Sequence, residues 1–146
     1  MALEFAAEVY EQLGIETVEN PTGNENLDKL VYKNEERFIL NTRMLIQYIV
    51  EEKVQGADSG RLAYLFHQVL AEQITAVCIE ARNSSGRNKV VLSGGVFQNR
   101  LLLRLTEERL VQEGFEVLRH HMIPPNDGGI AIGQAAYGMW HLNNNI

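Results

Sequence analysis

The chain has 146 residues, of which 45% are hydrophobic and 22% charged, and a formal net charge of -6. That length and balance argue against disorder and allow one domain with a real core. The acidic charge argues against a surface built for nucleic acid or anionic membrane, although Arg100, Arg104, Arg119 and His120 are candidates for a local basic groove. Cys78 is the single cysteine, which excludes an intrachain disulfide and a cysteine-rich zinc site. Its helical surroundings read as those of a small buried apolar residue.

Residues 2–13 place Leu3, Phe5, Ala6, Val9, Tyr10 and Leu13 at near-helical spacing, with Gly14 as the stop. Met1-Ala2-Leu3-Glu4 runs straight into this helix with no secretory signal pattern, so a cytoplasmic location is expected. A helix that starts at residue 2 without a cap also reads as cut from something longer. No apolar run approaches the ~20 residues that span a bilayer. Residues 19–27 are a polar, Pro- and Gly-bearing loop, followed by an expected hairpin of Leu30 to Tyr32 and Arg37 to Leu40 around a Lys33 to Glu36 turn. Asn41 or Thr42 caps the next helix, which carries Met44, Leu45, Tyr48 and Ile49 and ends at Gly56.

Asp58 or Ser59 then caps a long helix whose apolar face is Leu62, Leu65, Phe66, Val69, Ile74, Val77 and Ala81, broken at Asn83-Ser84-Ser85-Gly86. His67 in this helix reads as a buried, hydrogen-bonded histidine or a helix-packing residue. From residue 89 the order is strand, helix, strand, helix, with Gly114 ending the helix before the strand Phe115 to Leu118. Two strands separated by a helix imply a parallel pair and an α/β class. The tail, residues 141–146, is expected to fray.

Both strands end in glycine turns. The first is Ser93-Gly94-Gly95-Val96-Phe97-Gln98-Asn99 and the second Pro124-Pro125-Asn126-Asp127-Gly128-Gly129. Glycine admits positive φ and lets a phosphate approach the backbone, and a helix start offers unpaired N–H groups and a favourable dipole end. Gly94 and Gly95 are therefore candidate phosphate-binding residues. Asn99, one turn into the following helix, could reach a ribose or adenine edge. A plain strand-to-helix turn accounts for the same glycines, and neither a dinucleotide fingerprint nor a P-loop is present. Asp127 is a candidate ligand for a divalent metal, with Gly128 and Gly129 leaving room beside it, and is equally a helix N-cap. One carboxylate does not make a metal site: His120 and His121 point to opposite faces of a strand end, and no partner shows ligand spacing. Glu107 and Glu108 face solvent near Arg104, and no Ser/His/Asp triad is readable.

Val90 to Asn99 together with Pro125-Asn126-Asp127-Gly128-Gly129-Ile130-Ala131-Ile132-Gly133-Gln134-Ala135 closely resembles the C-terminal end of the HypF family, the carbamoyltransferases of nickel–iron hydrogenase maturation. Phe66-His67 and Leu70-Ala71 fit the same pattern, and the likeness is strongest from about residue 58 to residue 140. Either motif alone is shared with O-carbamoyltransferases and tRNA threonylcarbamoyl transferases; the pair is specific.

The resemblance implies the second lobe of an actin-like, ribonuclease H-like ATPase fold, occupying residues 1–146 as a single domain. It implies that Gly94 and Gly95 contact nucleotide phosphate or ribose, Asn99 the nucleoside, and Asp127 a divalent metal completed by histidines of the first lobe. The implied reaction passes a carbamoyl group from carbamoyl phosphate and ATP, through carbamoyl-adenylate, to the C-terminal cysteine thiolate of HypE. Met1 to Glu4 resembles an interior segment of the family, which implies a fragment inactive by itself. Exposed lobe surface then implies self-association. A nucleotide-binding or interaction module without carbamoyl chemistry is the alternative.

Overall fold

The long helix after Asp58 is the centre of the molecule, and three other helices lean on it. The computed structural model describes residues 2–13, 31–34, 37–124 and 126–144. In chain order these form helix α1 (Ala2–Gln12), strands β1 (Val31–Asn34) and β2 (Arg37–Leu40), helices α2 (Thr42–Val54) and α3 (Ser59–Ser85), strand β3 (Lys89–Leu92), helix α4 (Arg100–Gln112), strand β4 (Glu116–Arg119) and helix α5 (Ile130–Asn144). Gly14, the loop 19–27 and Leu30 lie outside the described residues.

Helix α3 starts where Asp58 accepts the Arg61 N–H at 3.0 Å and ends at Gly86, whose φ of 69° no β-carbon residue adopts cheaply. Asn83, Ser84 and Ser85 do not break it as expected. Both serine hydroxyls bond back to carbonyls of the preceding turn and extend the helix to Gly86.

Its buried residues do not form one stripe. Leu62, Ala63, Leu65, His67, Val69, Ala71, Gln73 and Thr75 are all buried because neighbours approach from several sides. Ala63 and Ala71 meet Ala7 of α1 and Leu101, Leu102 and Leu105 of α4. Leu65 and Val69 meet Tyr10 and Leu45. Phe66 and Ile74 are half-buried, and Ala81 is exposed. By length and composition α3 is apolar enough to cross a membrane, which corrects the expectation that no such run exists; here it is the core helix.

The approach of α1 to α3 is close because the residues between them are small. A β-carbon on Gly60 would stand 3.0 Å from the Ala6 carbonyl and 3.1 Å from the Tyr10 side chain. The expected apolar face of α1 splits in consequence. Ala7 and Tyr10 are buried, whereas Leu3, Phe5, Val9 and Leu13 are exposed. Phe5, Val9 and Leu13 border a shallow groove of about 380 Å³ with Asp58 and Gly60.

Strands β1 and β2 pair antiparallel with Asn34 opposite Arg37, so Lys33 and Asn34 belong to the strand and not to the turn. Asn41 caps α2. Strands β3 and β4 pair in parallel, Lys89 opposite Glu116 through Leu92 opposite Arg119, as the α/β expectation requires. Leu92, Leu110 and Phe115 close a third core cluster beneath them, with Cys78, Ile79 and Val117 packed against it. Gly114, at a φ of 80°, turns α4 into β4.

Burial pushes the Cys78 thiol above its ordinary range, which lowers its thiolate fraction at any given pH. Alkylation of the folded chain at pH 8 is therefore expected severalfold slower than that of a free cysteine, and equal to it in denaturant. A folded-state rate matching free cysteine would contradict the packing.

Candidate functional site

The parallel register sets the site. With Leu92 opposite Arg119, the next residue on each strand stands side by side, and Ser93 Oγ lies 2.8 Å from His120 Nε2. The Gly94–Gly95 turn thus leaves from the carboxyl end of β3, the edge at which α/β sheets bind ligands, whereas the Asp127 turn begins only at Asn126, after β4 has ended at Arg119. The Ser93–His120 contact was not foreseen in the sequence, because it depends on register between segments 27 residues apart.

In the first turn the two glycines differ. Gly94 has a φ of 96°, a conformation that itself calls for glycine. Gly95 has no positive φ, and no atom lies within 4 Å of the position a β-carbon would take. Residues Gly95–Gln98 form a short 3-10 turn before α4 begins. Its first internal bond runs from the Phe97 N–H to the Gly94 carbonyl, so the Gly95 and Val96 N–H groups precede it.

This corrects two expectations. Asn99 is the N-cap of α4, accepting the Leu102 N–H at 2.9 Å, and does not lie one turn inside the helix. The start of α4 is also not an open set of donors. Glu4 of α1 accepts the Arg100 N–H at 2.5 Å, and Asn99 takes that of Leu102. The Gly95 and Val96 N–H groups, which precede the first internal bond of the turn, are the candidate donors for an anion here.

His67 is 1% exposed and hydrogen-bonded through both ring nitrogens, as the sequence predicts for a buried histidine. Nδ1 lies 2.7 Å from the Ala63 carbonyl, and Nε2 lies 2.7 Å from Asn99 Nδ2. The sequence signal of a buried histidine was present; its connection to Asn99 was not.

In the second turn Asn126, not Asp127, is the cap: its Oδ1 accepts the Gly128 N–H at 3.0 Å, and its carbonyl accepts the Gly129 N–H at 2.9 Å. Asp127 is exposed and its carboxylate has no hydrogen-bond or ion-pair partner among the described residues. The glycines beside it are explained by the fold. A β-carbon on Gly129 would stand 2.9 Å from the Pro124 carbonyl, and one on Gly128 would stand 3.0 Å from Asn126 Oδ1. Among the described residues no three His, Cys, Asp or Glu side chains gather to hold a metal ion. No hydrogen bond among those residues joins the Asp127 turn to the Gly94–Gly95 turn.

The candidate basic groove forms without His120, which meets Ser93 instead, and it is neutralised. Arg100, Arg104 and Arg119 line an open groove of about 510 Å³ together with Glu8, Glu11 and Glu107. Arg104 pairs with Glu11 at 2.5 Å and Glu108 at 3.4 Å, and Arg119 pairs with Glu107 at 2.8 Å. Burial opposes the Arg104 charge, but the Glu11 and Glu108 carboxylates together outweigh it and raise the guanidinium above the usual arginine range.

Residues 2–134 match the family described as Carbamoyltransferase, Kae1-like Domain, second subdomain. The chain is 28% identical over 112 residues to the probable carbamoyltransferase HypF of Methanocaldococcus jannaschii, covering 77% of this chain and 14% of that protein. It is 39% identical over 86 residues to the carbamoyltransferase HypF2 of Cupriavidus necator, covering 59% of this chain and 11% of that protein. Among solved structures, a full-length HypF in its phosphate- and nucleotide-bound form superposes with a TM-score of 0.68 at 36% identity, covering 79% of this chain and 15% of that one. The chain thus spans about an eighth of the length of these relatives.

Proposed function

The chain belongs to the HypF carbamoyltransferase family, matching its second Kae1-like subdomain, and from that premise we propose that it forms the nucleotide-facing half of a two-lobed, actin-like ATPase site. Gly94 and Gly95 approach the phosphates or ribose, and Asn99 lies on the nucleoside side. The observation that carries this reading is Gly95. It is exposed, has no positive φ and has empty space where a side chain would stand, so neither crowding nor a left-handed backbone calls for glycine there. A phosphate pressed against the backbone supplies one. The solved relative in a phosphate- and nucleotide-bound form supports nucleotide binding within the family.

Asp127, with no partner among the described residues, fits one ligand position of a divalent metal and no more. The remaining ligands belong to the other lobe, and such an ion would offset phosphate charge. In the whole cytoplasmic enzyme, carbamoyl-adenylate arises from carbamoyl phosphate, water and ATP with release of phosphate and pyrophosphate. The site then passes the carbamoyl group to the C-terminal cysteine thiolate of HypE and releases AMP. That chemistry needs donors and charge neutralisation but no nucleophile from this chain, because the partner brings the thiolate. With one lobe, the chain by itself is inactive. Calorimetric titration of AMP and ATP, with and without magnesium, tests the reading on this chain and on a full-length HypF relative. Weak binding here and tighter, metal-dependent binding in the full-length relative is the expected result. Absence of binding in both favours an interaction module without carbamoyl chemistry.

Helix α5 carries the interface with the first lobe. None of its residues is buried, and Ile130, Ile132, Tyr137, Met139, Trp140 and Leu142 are exposed. The helix continues through His141–Asn144, where fraying was expected, with the Asn144 amide bonded to the Trp140 carbonyl at 2.7 Å. Without the first lobe, this surface pairs with a second copy. Light scattering at high concentration is expected to give a mass above the 16.5 kDa monomer, and Trp140→Glu to return it to the monomer. A monomer at every concentration would remove this interface.

A further inference from the structure

Every proton between the core helix and the glycine turn is assigned by simple chemistry. The Ala63 carbonyl only accepts, so His67 Nδ1, 2.7 Å away, carries the ring hydrogen. Nε2 is then a lone pair, and Asn99 Nδ2, also 2.7 Å away, donates to it. The Asn99 Oδ1 accepts the Leu102 N–H at 2.9 Å, which fixes which end of the carboxamide faces the histidine. The Asn99 backbone N–H in turn donates to the Val96 carbonyl at 3.2 Å and closes the Gly95–Gln98 turn. One residue therefore caps α4, closes the glycine turn and is held from behind by a histidine that is 1% exposed. Edge-to-face contact with Phe66, with ring centroids 5.6 Å apart, steadies that histidine.

The geometry points to His67 as a positioning residue of the nucleotide site. It fixes the Asn99 carboxamide, and through it the presentation of Gly94 and Gly95, without touching the ligand. One Asn99 amide hydrogen is committed to His67, leaving the other for a nucleoside. The inference rests on the nucleotide reading above. An alternative acceptor in place of Nε2 would preserve the function, whereas an apolar side chain of similar size would leave the amide free to turn.

AMP titrated into the ¹⁵N-labelled chain, followed at the Gly94 and Gly95 amides, tests this. His67→Leu is expected to weaken AMP by about tenfold, the size of one lost hydrogen bond. His67→Gln, whose Oε1 can stand where Nε2 stood, should recover most of that loss. Imidazole nitrogen shifts of the parent should show the Nδ1–H form. AMP affinity unchanged in His67→Leu overturns the positioning role, even where both variants lose thermal stability, because that pattern marks a purely structural histidine. An Nε2–H form in the parent overturns it without any variant, and decides the matter if His67→Leu does not fold. A parent that shows no response to AMP removes the nucleotide reading itself, a result distinct from binding that ignores His67.

Discussion

Replacing Gly95 with arginine is expected to lower nucleotide affinity by about a hundredfold or more, corresponding to about 2.7 kcal/mol, while the thermal midpoint stays near that of the parent. The two halves of this result have separate causes. The fold tolerates the substitution because the backbone at Gly95 has no positive φ and a β-carbon there meets no atom within 4 Å. The ligand does not tolerate it, because the space outside Gly95 is where a phosphate would approach the N–H groups of the turn. Gly94 supplies the contrast. Its φ of 96° makes Gly94→Ala strained wherever the β-carbon points, at a cost of about 1–2 kcal/mol. Adjacent glycines should thus separate binding from stability. Calorimetry with AMP and thermal unfolding on the same samples checks both. A Gly95→Arg variant that binds AMP as well as the parent would place the nucleotide elsewhere.

The largest stability effect is expected at Leu65, which is fully buried where α3 meets Tyr10 of α1 and Leu45 of α2. Leu65→Ala removes that packing and leaves a cavity, at about 2–5 kcal/mol. A domain of this size has about 5–15 kcal/mol in total, so the midpoint should fall by roughly 6–15 °C. Phe5→Ala is the control. Phe5 is larger but 68% exposed at the rim of the groove beside Gly60, and its loss should change stability by about 0.5 kcal/mol or less. Thermal unfolding of the three proteins decides it: a Leu65 variant no less stable than the Phe5 variant would mean that α1 and α2 do not pack on α3 as described.

What was legible from sequence was mostly local. Caps, stops and strand ends depend on one or two neighbours, so Asn41, Asp58, Gly56 and Gly114 act where their residue types suggest. The parallel pairing followed from element order. What was missed depends on partners distant in sequence. Leu3, Phe5 and Val9 have helical spacing, but only a neighbour decides which of them is buried, and Gly60 admits α1 along Ala6, Ala7 and Tyr10 instead. Asn126 displaces Asp127 as the cap because a 3-10 turn, not an α-helix, follows β4. The links from His67 to Asn99 and from Ser93 to His120 cross 32 and 27 residues. No spacing rule reaches that far, although the residues themselves stood out.

The carboxylate of Glu4 that accepts the Arg100 N–H joins positions 96 residues apart. The first turn of α4 is therefore completed by the first helix of the chain. Closing so long a loop costs conformational entropy before the contact returns anything. Helix α4 can form its interior bonds early, but its amino end stays unsealed until α1 has docked on α3. The glycine turn immediately before α4 is then expected to settle late in folding and to loosen when α1 lifts away.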